Sequence, residues 1–359
     1  MDALSDCLLR WTATSSHDTI AAMVTTDVDG IPMVIGHDWA VELLEHSVAI
    51  GHPAHAYLFA GPPRVGKTSL ALYLARALNC LDPQNKPCGS CRACQKITKG
   101  IHPDVRVIDE PLVSVKIEQM RELQREMSLS PFEGRWRVYI VCGFEQATLE
   151  AANCLLKTLE EPPPKVILVL TAREADLLLP TIVSRCQVFR LRPLPTGEVE
   201  QALRIHWGVE ARRARLLAKL SGGRLGWAVE ASRADTLLRD REKYFVALEE
   251  ALRQGRTGRM ALAQQLSQNP QVLPELFDLW QSWWRDLLLA KMGNPGALTN
   301  IDREQAVLNE AQQYTVGDIL SSVKAVQRAA LHVEQNVNAT LALEVLLLTL
   351  PASAGIAAG

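Results

Sequence analysis

Trp39, Leu43, Leu44 and Val48 recur four or five residues apart from turn to turn, the spacing of one helical face. The rhythm then changes. AYLFAG (56–61) is a short, unbroken apolar run closed by glycine and predicts a buried strand. Ser69 to Leu78, rich in Ala and Leu, reads as the helix after the intervening glycine turn. VRVID (105–109), RVYIVCG (137–143) and KVILVLTA (165–172) are further strand-like runs separated by helical stretches. This alternation predicts an α/β fold, a mostly parallel sheet covered by helices on both faces.

After VFRLRPL (188–194) the strand signals stop. Everything to residue 350 reads as helix, interrupted by the glycine pair 222–223, by Asn269-Pro270 and by GNPG (293–296). From Leu273, the positions Leu276, Leu279, Trp280, Trp283, Leu287 and Leu288 form one face of a long helix, suited to a core or a subunit interface. A domain boundary is therefore expected between Pro193 and Pro195. Residues 1–32 show little periodicity and read as an extension, and 351–359 as a small apolar tail.

With 359 residues the chain exceeds a single compact core and suits two or three domains. Hydrophobic residues at 48% and charged ones at 22% argue against disorder, and a net charge of −2 gives no basic field for autonomous nucleic-acid binding. No apolar run reaches the roughly eighteen residues of a spanning helix, and no signal pattern opens the chain, so the cytoplasm is the expected compartment and no membrane partner is expected.

Two motifs carry chemistry. GPPRVGKT (61–68) fits the phosphate-binding pattern G-x-x-x-x-G-K-[ST] and sits after a strand and before a helix, where backbone N–H groups and the helix dipole favour a polyanion. Gly61, Pro62, Pro63, Arg64, Val65, Gly66, Lys67, Thr68 and Ser69 are the candidate nucleotide residues. Lys67 would reach the β- and γ-phosphates and Thr68 could ligate Mg²⁺. The competing reading is a glycine turn that only joins strand to helix. The strand at 137–141, however, runs into Cys142 and Gly143, where a hydrolase carries acids for Mg²⁺ and the attacking water. The nearest acid, Glu145, is displaced by two positions, so weak or absent hydrolysis is expected.

Cys80, Cys88, Cys91 and Cys94 follow C-x7-C-x2-C-x2-C, with Pro87 and Gly89 supplying tight turns. Four thiolates at this spacing predict a closed, structural Zn²⁺ site rather than a catalytic one. The alternative is four independent thiols.

Together the phosphate loop, the cysteines after its helix, ANCLLKTLEEPP (152–163) and SRC (184–186) resemble bacterial DNA polymerase III clamp-loader subunits of the AAA+ class, over roughly residues 34–350. That resemblance implies an AAA+ domain over 33–193 with a zinc module at 80–94, a helical lid over 194–233 and a helical collar over 234–350. In the family, SRC presents an arginine to nucleotide held by a neighbouring subunit, so Ser184 and Arg185 become candidates for trans catalysis. Cys142, Gly143, Ala172 (with Thr171 beside it) and Gly226 stand where motor subunits carry hydrolytic groups. These departures resemble the delta-prime type, a stator that completes a neighbour's site without turning over its own nucleotide. The resemblance further implies bound ATP or ADP, with Mg²⁺ if ATP, and a hetero-pentamer with gamma/tau and delta subunits acting on a sliding clamp and primed DNA. A gamma/tau-type ATPase, a P-loop small-molecule kinase and a zinc scaffold with a vestigial loop are the competing functions.

Overall fold

The structure, a computed structural model, describes residues 33–108, 117–335 and 337–351. The segment 1–32 and the tail beyond Pro351 lie outside the described residues. The chain divides between Arg192 and Pro193 into two compact units.

The first unit is a five-stranded parallel sheet. Helix α1 (Asp38–Ala49) leads into β1 (Ala56–Ala60), α2 (Lys67–Asn79), α3 (Arg92–Thr98), β2 (Val105–Ile108), α4 (Ile117–Met127), β3 (Arg137–Val141), α5 (Leu149–Glu160), β4 (Val166–Ala172), α6 (Pro180–Val183) and β5 (Gln187–Arg190). The spatial order is β2-β3-β4-β1-β5, which puts β1 between β4 and β5, paired Ala56 with Leu168 and Tyr57 with Gln187. Every residue of β1 and β4 is buried, as a sheet covered on both faces demands.

The side-chain alternation of the strands sorts two cores. Leu58, Tyr139, Val141, Leu168 and Leu170 pack with Leu123 and Met127 of α4 and Leu155 and Leu159 of α5. Tyr57, Phe59, Ile140, Val169 and Phe189 pack on the other face with Leu70, Leu74 and Leu78 of α2 and with Ala40 and Leu44 of α1. In α1 the buried residues are Ala40 and Leu44, while Trp39 and Leu43 stay half exposed and Trp39 stacks on Phe189 at 5.6 Å. The small Ala40, absent from the expected stripe, lets the helix approach closely.

Two buried polar side chains brace the turn into β3. Asp104 accepts backbone N–H groups from Phe132 (2.6 Å), Glu133 (2.8 Å) and Gly134 (2.7 Å). Asn79, the last residue of α2, accepts from the N–H groups of Arg135 and Trp136 at 2.9 and 3.0 Å. Gly134 is required by this crowding, since a Cβ there would lie 2.7 Å from the Asn79 amide oxygen.

Burial alone would raise the Asp104 carboxyl, but the three N–H groups outweigh it and leave it below the ordinary carboxylate range. A depressed carboxyl contributes stability above its unfolded value, near 3.9, and loses it as pH falls through the folded one. Asp104→Ala is accordingly expected to cost about 3 kcal/mol in urea unfolding at neutral pH. The gap from the parent chain should shrink as the medium is acidified below that range; a gap independent of pH would show that the carboxylate charge is not what braces the turn.

The second unit is entirely helical among the described residues. It comprises α7 (Thr196–Trp207), α8 (Ala211–Leu220), α9 (Leu225–Arg233), α10 (Thr236–Arg253), α11 (Arg256–Ser267), α12 (Leu273–Lys291), α13 (Glu304–Gln313), α14 (Val316–Glu334) and α15 (Ala339–Thr349). The long helix α12 lies at its centre. Phe277, Trp280, Trp283, Trp284 and Leu287 of α12 pack against Phe245 of α10, Ile319 and Val326 of α14 and Leu343 of α15. Phe277 and Trp284 widen the face beyond the six positions read from the sequence. Arg259 donates to the carbonyls of Leu347 (2.7 Å), Leu350 (2.6 Å) and Pro351 (3.0 Å), satisfying acceptors that the end of α15 leaves open. No described helix is long and apolar enough to cross a membrane.

Candidate functional site

The phosphate loop leaves the carboxyl end of β1, which lies between β4 and β5, at the strand ends where open α/β sheets place their ligands. Gly61 is forced by proximity, because a Cβ there would meet the Leu191 carbonyl oxygen at 2.5 Å. Gly66 caps α2 at φ 113°, a left-handed conformation that glycine adopts without strain, and no side chain caps the helix. The first N–H groups of α2 are thus not taken up by a capping side chain and face the loop interior, as an anion site needs. His37, buried at the start of α1, places Nε2 3.1 Å from the Val65 carbonyl and supports the loop from behind.

Lys67 is folded into its own loop, donating to the carbonyls of Gly61 and of Pro62, the latter at 2.8 Å. Burial pulls its ammonium down to about 8, against an upward pull from the Glu145 charge. A polyphosphate would add negative charge beside this half-buried cation, whose hydrogen bonds go to uncharged carbonyls. Thr68 places Oγ1 3.9 Å from Cys142 Sγ, and Ser69 is buried behind it.

Opposite the loop, Cys142 and Gly143 follow β3. Gly143, at φ 62°, donates its N–H to Thr171 Oγ1 at 3.1 Å. The polar group near the end of β4 is therefore the buried Thr171, turned onto backbone, rather than Ala172. Glu145 sits in the helical turn Phe144–Gln146, and its Oε2 is buried with no hydrogen-bond partner.

The four cysteines converge. Cys80 caps the far end of α2, Cys91 caps α3, and the Sγ atoms of Cys80, Cys88, Cys91 and Cys94 all lie within 4.8 Å of one another. A tetrahedral zinc with bonds of about 2.3 Å holds sulfurs about 3.8 Å apart, so the set fits such an ion. Backbone N–H groups approach the sulfurs: Cys88 to Cys80 at 3.3 Å, Cys91 to Cys88 at 3.3 Å, Cys94 to Cys91 at 3.5 Å. These donors stabilise thiolate, and the Cys91 N–H draws Cys88 down to about 6. Burial pushes Cys80 and Cys94 the other way, so four thiolates here call for a cation.

Arg185 lies elsewhere on the sheet unit, after α6. Its guanidinium donates to Glu160 at 2.7 Å, to the Thr181 carbonyl at 2.9 Å and to Ser184 Oγ at 3.4 Å. Glu160 comes from the same helix as the LLKTLEE motif, which brings the two sequence motifs together. The pair is partly exposed, and ion pairs of that kind contribute only about 0–1 kcal/mol, so the arginine is easily released. The adjacent Cys186 is pushed by burial up to about 12 and is no nucleophile.

One residue escaped sequence reasoning. Gly226 drew attention as the place where a lid arginine was lacking, yet Arg224, two positions earlier, forms a 2.9 Å pair with Asp278 of α12. Spacing alone gave no sign of that partner, which lies 54 positions away.

Residues 36–195 match the family described as DNA polymerase III, delta subunit, and residues 236–351 match its C-terminal counterpart. The chain is 35% identical to DNA polymerase III subunit delta' of Bacillus subtilis over 315 residues, covering 86% of this chain and 94% of that one. It is also 35% identical to subunit tau of Escherichia coli over 198 residues, 54% of this chain and 31% of that one. Among solved structures, a DNA polymerase III gamma subunit-related protein from Thermotoga maritima aligns at 22% identity and a TM-score of 0.42, over 86% of this chain and 97% of that one.

Proposed function

Because this chain belongs to the delta-prime family of DNA polymerase III subunits, we propose that it serves a clamp loader as a stator, holding nucleotide without turning it over and lending Arg185 to the nucleotide site of a neighbouring subunit. The observation that carries this reading is a contrast within one sheet unit. The phosphate loop is complete, yet Cys142 and Gly143 offer no oxygen ligand, while Arg185 is held by a partly exposed pair with Glu160 and by hydrogen bonds to Thr181 and Ser184. A guanidinium delivered in trans is permanently charged and forked, and it offsets the charge that builds on a transferring γ-phosphate.

The partners in this reading are gamma/tau and delta subunits, a sliding clamp and primed DNA. Assembly is supported by α15, whose Leu341, Val345 and Leu348 stay exposed while Leu343, Leu346 and Leu347 are buried, leaving an apolar strip for a neighbour. The four-thiol module would hold a structural zinc, and that ion takes no part in chemistry.

Arg185→Ala tests the proposal. In a complex reconstituted with gamma/tau and delta, DNA-stimulated ATP hydrolysis is expected to fall by at least about tenfold at the completed site, with assembly unchanged on gel filtration. Arg185→Lys should rescue little, since an ammonium lacks the fork. An unaltered rate would remove the role assigned to Arg185. The chain alone should bind nucleotide without hydrolysing it, whereas turnover alone would favour the gamma/tau-type ATPase.

A further inference from the structure

We infer that the nucleotide in this phosphate loop is held without a divalent cation, and that Cys142 determines this. The inference rests on the nucleotide-binding reading above and goes beyond it.

Magnesium is a hard ion that demands oxygen ligands in near-octahedral geometry, and in P-loop sites it is shared by the loop hydroxyl, an acid at the end of the neighbouring strand and the phosphates. The residues present do not fit it. Thr68 supplies the hydroxyl, but the side chain across from it is Cys142, with Sγ 3.9 Å from Thr68 Oγ1. Sulfur is a soft ligand that selects other metals. Gly143 has no side chain, and its N–H engages Thr171 Oγ1, which turns the hydroxyl of β4 toward backbone. Glu145 is a nearby carboxylate, and it is carried on the following turn, three residues beyond Cys142.

The positive charge that a metal would bring is instead built into the chain. Lys67 is half-buried in the loop. Gly61 donates its N–H to the Ala172 carbonyl at 3.1 Å, which sets the next residue, Arg173, beside the same loop, and the Arg173 charge is felt at Lys67. Lys67 and Arg173 thus bring two positive charges to the loop against the one negative charge of Glu145, and a diphosphate bound there would meet a fixed positive balance without a metal.

The test is a fluorescence titration of the full chain with an N-methylanthraniloyl derivative of ADP, once in EDTA and once in excess Mg²⁺. The two dissociation constants are expected to agree within about twofold, and Arg173→Gln should weaken both by about tenfold, or ~1.4 kcal/mol. Cys142→Asp should tighten binding about tenfold in Mg²⁺ and not in EDTA. Tightening of the unsubstituted chain by about tenfold in Mg²⁺ would overturn the inference while leaving nucleotide binding intact; loss of that tightening in Glu145→Gln would then assign the metal to Glu145. The two titrations of the unsubstituted chain decide the matter even where Cys142→Asp does not fold. Absence of binding in both buffers would sink the nucleotide reading itself.

Discussion

Cys91→Ser is expected to empty the four-thiol site while leaving the helix behind it capped. Cys91 accepts the N–H of Cys94 at the start of α3, and a serine hydroxyl serves that purpose as well as sulfur does. What serine does not supply is the fourth thiolate. Structural zinc contributes about 10–16 kcal/mol of apparent binding energy in small zinc peptides, energy that folding of the site depends on. Here the site is anchored to the end of α2, so the loss should be local rather than global. Zinc measured by plasma mass spectrometry should fall from about equimolar to none, and limited proteolysis should open new cuts between Cys80 and Thr98. An unchanged zinc content and cleavage pattern would mean that the four sulfurs meet for another reason.

Lys67→Ala carries the second large effect. Removing a half-buried cation that contacts phosphate costs about 2–5 kcal/mol, and ~3 kcal/mol is more than a hundredfold in affinity. The substitution separates binding from folding, because the same lysine is a burden to the empty site. Burial lowers its ammonium to about 8 from an ordinary value of 10.5, so at neutral pH the fold carries a charged group that it disfavours. The variant should therefore melt at the same temperature as the parent or higher without nucleotide, and ADP should raise the melting temperature of the parent alone. A variant that ADP still stabilises would place the nucleotide elsewhere.

Much of the architecture was legible because it rests on short-range patterning. The runs at 56–61, 105–109, 137–143 and 165–172 all hold strands, Ala56–Ala60, Val105–Ile108, Arg137–Val141 and Val166–Ala172, with Asp109 outside the described residues. The run at 188–194 was cut further, to Gln187–Arg190. Leu191 still donates to Ala60 at 2.7 Å, but Pro193 has no N–H to extend the ladder. The register of the strands and the order β2-β3-β4-β1-β5 depend on pairings between distant segments, and no local pattern holds them.

The site divides along the same line. The loop glycines and the cysteine spacing announce themselves, since each motif is built from neighbours in sequence. Long-range partners do not: Glu160 for Arg185, Asp278 for Arg224, and the Asp104 and Asn79 braces all join residues 25 to 57 positions apart. Helix faces mislead for a related reason. Trp39 and Leu43 look like core by hydrophobicity, yet packing selected the small Ala40, since close approach of α1 to the sheet unit requires little volume there.

Gly143 also bears on the history open to such a chain. A side chain at its φ of 62° costs roughly 1–2 kcal/mol, although nothing occupies the space around it. Building an acid pair for hydrolysis therefore cannot proceed one substitution at a time with a gain in turnover at each step. Cys142→Asp by itself returns a ligand with no group to position water, and Gly143→Glu by itself strains the turn for no chemical return. In the proposed stator role, selection acting on single changes would meet a barrier on the way to turnover, while substitutions that tune nucleotide retention or the reach of Arg185 would lie on open ground.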